Sequence, residues 1–167
     1  MAFWSEANLD PKRKFRWVVQ IAGLGIGEYI AKTVDKPKFE VSEEEHKFIN
    51  HTFYYPGRVT WDEVSLTLVD PGGQDDVTKA LVDMLQRAGY DYPSNVEAAK
   101  ASITKGAATA ALGRVEISQI DAEGAPIEAW VLHNAWLKNV EFGELSYEDE
   151  GLVEVSMTIR YDFATVE

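Results

Sequence analysis

Cysteine does not occur among the 167 residues. Its absence excludes a disulfide framework, thiolate metal sites and thiol catalysis, and suits a chain made in a reducing cytosol. Basic residues are few: 16 Lys and Arg face 28 Asp and Glu, a formal net charge of −12. A surface of that sign repels nucleic acid and anionic lipid, which argues against sequence-specific DNA binding while leaving unhindered passage of DNA open. No apolar run approaches membrane-spanning length, and residues 1–14 lack a signal-peptide core, so a soluble, unsecreted product is expected. Catalytic signatures are missing too. G-x-S-x-G, H-E-x-x-H and a P-loop do not occur, and no acid/base pair stands out in so acidic a chain. Neither an enzyme nor a cofactor is expected.

What the chain does have is apolar alternation. Apolar residues make up 46% of it, enough for one packed domain that removes roughly 70% of the unfolded surface from water. VEVSMTIRYDF (153–163) alternates strictly, which predicts a long strand with one buried and one wet face. FRWVVQI (15–21) predicts another, and AGLGIG breaks it as a flexible turn. YIAKTV, KPKFEVSEEE, HKFINHTFYY and RVTWDEVSLTLV read as extended segments. Pro56-Gly57 separates two of them, and Glu43, Glu44 and Glu45 read as a solvated bend.

The period then changes. Val77, Ala80, Leu81, Met84, Leu85 and Ala88 share one helical face, with Asp75 and Asp76 at its start, Arg87 in its last turn and Gly89 as its stop. Ser94 with Glu97 fits a capping box, whereas Thr104, Gly106 and Thr109 dilute the alanine run. Residues 91–113 are therefore expected to be a short helix and a loose connection. VEISQI, IEAWVLHNAWLKNVEF and the long alternating strand complete the chain. This predicts an α+β, β-dominated fold: an antiparallel sandwich or partly open barrel with one main packed helix.

Three features invite a chemical reading, and each has a plainer one. GLGIG (23–27) follows a strand, but Glu28 stands where a dinucleotide loop needs its third glycine, and Pro37 shortens any following helix. Glu45 and His46, with His51 nearby, suggest a metal cluster, yet neighbouring strand residues diverge. His133 sits in an apolar run, as a hydrogen-bonded interior or interface histidine does. Among five tryptophans, Trp17 and Trp61 read as core. Trp130 lies in IEAWVL, apolar on both faces, as in a strand central to two layers or buried against another subunit. Trp4, Trp130, Trp136 and His46 are the interface candidates.

At these residues the chain resembles a known family. KFEVSEEEHKFINHTFYYPGRVTWDEVSLTLVD, VTKALVDMLQRAG and AWLKNVEFGELSYEDEGLVEVSMTIRYDF look like the tail tube proteins of contractile-tailed bacteriophages, over most of residues 13–164. Residues 1–14, a mixed stretch with Pro11 and basic residues behind it, read as an arm before a single domain at 15–167, and the resemblance implies that this domain is tail-tube-like and carries a long β-hairpin. It further implies six-membered rings whose strands join one shared barrel, stacked into a tube inside a contractile sheath. Sheath, baseplate, tail terminator and tape-measure proteins are the implied partners, and a virion tail assembled in the host cytoplasm the implied location. An acidic lumen would let DNA slide without sticking; Glu40, Glu43, Glu44, Glu45, Glu63, Glu154 and Asp162 are the candidates to line it. The arm, residues 42–47 and residues 23–28 are candidates for stacking contacts. Related injection or secretion particles and a monomeric sandwich with a ligand pocket are the alternatives.

Overall fold

A computed structural model describes residues 5–25 and 27–167. Two four-stranded antiparallel sheets face each other across one core. The first contains β1 (Trp17–Ile21), β6 (Val115–Ile120), β7 (Pro126–His133) and β10 (Phe163–Val166), in that spatial order. The second contains β2 (Ala31–Val34), β5 (Val64–Val69), β9 (Glu154–Arg160) and β8 (Trp136–Glu141). A third, two-stranded sheet pairs β3 (Phe39–Phe48) with β4 (His51–Trp61). This is a sandwich, not a closed barrel, and it is β-dominated as the alternation requires.

Period-2 patterning positions the core. Val64, Leu66 and Leu68 of β5 and Val155, Met157 and Ile159 of β9 are almost fully buried, with the polar residues between them turned away. The long alternating strand, however, is cut short. β9 ends at Arg160, the chain changes sheets at Tyr161–Asp162, and Phe163 opens β10 against β7. Tyr161 still obeys the alternation and is buried, whereas Phe163 is exposed. Alternation continues through the crossover, so the pattern cannot mark it. IEAWVLHNAWLKNVEF divides in the same way at Asn134, whose φ of 54° turns the chain from β7 into β8 of the other sheet. β7 is an interior strand: Trp130 and Leu132 face the core, and Ala129 and Val131 are buried on the opposite face.

Helix α1 (Val77–Arg87) lies where the 3.6-residue period predicts, burying Val77, Leu81 and Met84. Asp76 caps it by accepting from the Lys79 N–H, and the Asp70 carboxylate accepts from the Val77 N–H and Thr78 hydroxyl. Gly89 has a φ of 119° beyond its end. The expected capping box shifts by one residue: Asn95, not Ser94, caps the single turn α2 (Val96–Ala99). The supposed loose connection is a true helix, α3 (Lys105–Leu112), capped by Thr104 and packed through Ala108, Ala111 and Leu112. Gly106 and Thr109 weaken intrinsic helix propensity here, while the small Ala108 and Ala111 let the helix approach β8 and α1 closely.

Two local readings are corrected. Glu43, Glu44 and Glu45 lie inside β3, and Pro56-Gly57 lies inside β4; the reversal is at Ile49–Asn50, with Ile49 at φ 51°. Between the Val41–Val59 and Glu43–Pro56 pairs β4 carries an extra residue, and this bulge accommodates the proline. The glycine loop is packed, not loose. Gly23 donates to the Leu112 carbonyl at 2.8 Å and its own carbonyl accepts from Arg87. A Cβ at Gly23 would lie 2.0 Å from the Ala111 carbonyl oxygen. Gly23→Ala should therefore cost about 1–3 kcal/mol, lowering Tm by about 3–10 °C in a thermal melt; an unchanged Tm would refute this packing.

Candidate functional site

The β3–β4 hairpin is the most unusual surface. Its strands run 10 and 11 residues, and every residue except Trp61 is exposed. Pairing assigns its faces. Phe48, Phe53 and Tyr55 lie on one side with Glu40, Glu44 and His46; Phe39, Val41, Val59 and Tyr54 lie on the other with Glu43 and Glu45. Both faces mix aromatic or aliphatic groups with carboxylates, and neither packs on the core beyond the hairpin's base. There Trp61 touches Phe39 and Tyr161, with ring centroids 5.3 and 6.3 Å away. Ser42 braces the bulge by accepting from the Arg58 N–H, and a side chain at Gly57 would collide with it.

The lumen candidates do not form one cluster. Glu40, Glu43, Glu44 and Glu45 are gathered on the hairpin, divided between its faces, and Glu45 is 4.0 Å from Lys47. Glu63 pairs with Lys138 and Arg160 beyond the hairpin's base. Glu154 pairs with Lys32 at the opposite end of β9. Asp162 accepts two hydrogen bonds from Lys105, at 2.8 and 2.7 Å, and one from Asn134; the Lys105 ammonium holds its carboxyl below the usual range. These last three carboxylates are thus matched by cations within the chain.

The interface candidates are equally scattered. His46 is exposed on the hairpin opposite Phe53. Trp136 is half-buried and lines a cavity of about 520 Å³ with Trp61, Lys105 and Arg160. Trp130 is half-buried and turned inward, not displayed as an outer surface. Trp4 lies outside the described residues. His133 is hydrogen-bonded to Thr165 at 2.8 Å and stacked on Phe163.

One feature was not foreseen from the sequence. Glu128 projects from the inner face of β7 and is 9% exposed. Lys12 reaches it from the N-terminal segment, Lys36 reaches it at 2.8 Å, and the Trp130 indole N–H donates at 2.5 Å. The Lys12 ammonium, then Lys36, pull its pKa down to about 2 against the opposing effect of burial. Gln119, paired with Glu128 across the strands, donates to the Arg13 carbonyl and fastens the same segment. Only an isolated acid in a strand written IEAW signalled this network.

Among the described residues, no group of three or more His, Asp or Glu is placed to hold a metal ion, and no helix is long and apolar enough to cross a membrane. No protein-family model matches the chain, and no curated protein does. Solved structures do match in fold. The fold they share with this chain is one found in structures of contractile injection systems. The anti-feeding prophage cap, described as a tube terminating cap, aligns with TM-score 0.70 and 15% identity over 100% of this chain and 99% of that one. A PVC sheath/tube terminator of an extracellular contractile injection system gives 0.69 and 15% over 96% and 99%. The PVC sheath-tube complex gives 0.63 and 14% over 100% and 98%. At such identities it is the fold that is shared.

Proposed function

We propose that this chain is a structural subunit of the inner tube of a contractile-tail particle, closing with copies of itself into six-membered rings that stack. The observation that carries this reading is the β3–β4 hairpin. A lone two-stranded hairpin is marginal in water, and one with exposed aromatics on both faces and open edges invites uncontrolled pairing. A ring of neighbours covers those faces and satisfies the edges by closed symmetry. The shared fold with tube-terminator and sheath-tube structures supports the same reading.

The charge fits conduction. The chain carries −12 overall, and each hairpin face holds two glutamates, so either face turned to a channel presents carboxylates. Lys47 shares the face of Glu43 and Glu45 and is outnumbered there, so a polyanion such as a phage genome finds few counterion-releasing contacts and slides. Sheath, baseplate and terminator proteins are the partners this role requires. Electron microscopy of purified protein, with baseplate nucleators if needed, should show six-fold rings or tubes with an acidic inner wall. A single monomeric species at every concentration and with nucleators present would overturn the assignment; a basic or apolar inner wall would overturn the conduction role.

A further inference from the structure

A cavity of about 610 Å³ opens where the inner face of the first sheet turns polar, beside β2. Its walls include Trp17 and Trp130, and its cations are Lys12, Lys14, Lys32 and Lys36. Glu128 engages Lys12 and Lys36, and Glu154 engages Lys32. Lys14 has no acidic partner among the described residues. Four lysines against two carboxylates leave an excess of positive charge, unexpected in a chain carrying −12.

The counterpart is elsewhere on the same chain. Residues 142–153, between β8 and β9, read FGELSYEDEGLV and contain four acids and no base. None of those acids has a basic partner among the described residues. Tyr147 stands fully exposed among them, and Leu145 is 84% exposed. In its own subunit the loop borders only one of these lysines: Val153 accepts from the Asp70 N–H, and Glu144, Asp149 and Leu152 line a second cavity that shares Lys32, but not Lys12, Lys14 or Lys36, with the first.

We propose that the lysine-rimmed tryptophan cavity receives the acidic loop 142–153 of a second copy, Tyr147 entering between the lysines while Glu144, Glu148 and Glu150 meet their ammonium groups. Charge and shape supply the first argument: an aromatic side chain flanked by carboxylates suits an aromatic-walled cleft with a cationic rim. Topology supplies the second. The Val64–Ile159 and Val69–Glu154 pairs fix the two ends of the second sheet. Lys36 follows β2 at the hairpin end, whereas the loop leaves at the other, where only Lys32 lies near it. A contact joining opposite ends of identical chains is heterologous and propagates, as stacked rings require. The inference thus rests on the tube reading and names the chemistry of one of its interfaces.

The test uses the full chain and a synthetic peptide of residues 142–153, with tryptophan emission as the readout because Trp17 and Trp130 line the cavity. Saturable binding is expected, weakened roughly tenfold or more by Lys14→Glu and lost when the peptide carries lysine in place of Glu144, Glu148 and Glu150. Lys14 supports no ion pair among the described residues, so its reversal leaves the Glu128 network intact. In the full chain, Lys14→Glu should hinder tube assembly and Glu148→Lys in the same molecule should restore it. Tubes that form while peptide binding is absent or indifferent to charge would overturn this contact and leave the tube reading standing. Charge-dependent peptide binding by a chain that never assembles would support the contact and sink the tube reading.

Discussion

A chain in which Asn-Gly replaces residues 40–60 is expected to fold as the parent does and to form no rings or tubes. Phe39 and Trp61 are a directly paired position, and Asp62 donates to the Lys38 carbonyl at 2.8 Å just outside it. A two-residue type I′ turn closes that pair in the right twist. The excised segment is exposed throughout, so its removal takes almost nothing from the core. Tm should remain within about 3 °C of the parent. Assembly is another matter. Losing the aromatic surface of both faces should raise the concentration needed for rings by roughly a hundredfold or more, the effect of removing about 3 kcal/mol per interface. Light scattering and microscopy on matched samples decide it: undiminished assembly by the shortened chain would remove the main support for the proposed function.

The second large effect concerns Glu128. Glu128→Gln keeps the size but removes the charge that holds Lys12, Lys36 and the Trp130 indole together. With its carboxyl lowered from 4.5 to about 2, the charged form stabilises the fold. The lysines are half-exposed and partly screened, so the loss at neutral pH should be on the order of 2 kcal/mol. That corresponds to a Tm lower by about 4–8 °C. The sign with pH follows from linkage. A depressed folded pKa contributes fully above the unfolded value of 4.5 and fades as pH falls towards 2. Parent and variant melts should therefore diverge most above about pH 5 and converge near pH 2. A gap that stays constant across this range would rule out an ionised Glu128 as its source.

Much of the fold was legible. Period-2 runs placed β1, β5, β6 and β9, and the 3.6-residue face of Val77, Leu81 and Met84 placed α1 with its caps, because burial on one side imposes those periods directly. Legibility failed where the chain changed partners without changing pattern. Asn134 and Tyr161–Asp162 carry it from one sheet to the other, and apolar alternation is satisfied equally in either. The α3 segment was obscured because Gly106 and Thr109 lower its helical propensity, while the close packing of its alanines is visible only between elements. Gly23 misled for a related reason: glycine suits a loose turn or a tight contact, and the Ala111 carbonyl decides for contact.

For the candidate site the division is sharper. Acidity and the alternating faces are properties of composition and short-range order, and they are read directly from the chain. Whether a given carboxylate is spent or available is a three-dimensional question. Glu63, Glu154 and Asp162 are neutralised by lysines brought from distant positions in the chain, while Glu40, Glu43 and Glu44 have no such partner among the described residues. Sequence alone determined that strands would dominate and that the surface would be anionic, since side-chain period and charge are written residue by residue. Only the tertiary structure decided that β3 and β4 stand clear of the core and that Glu128 gathers Lys12 and Lys36, since ion pairing and exposure depend on which segments meet.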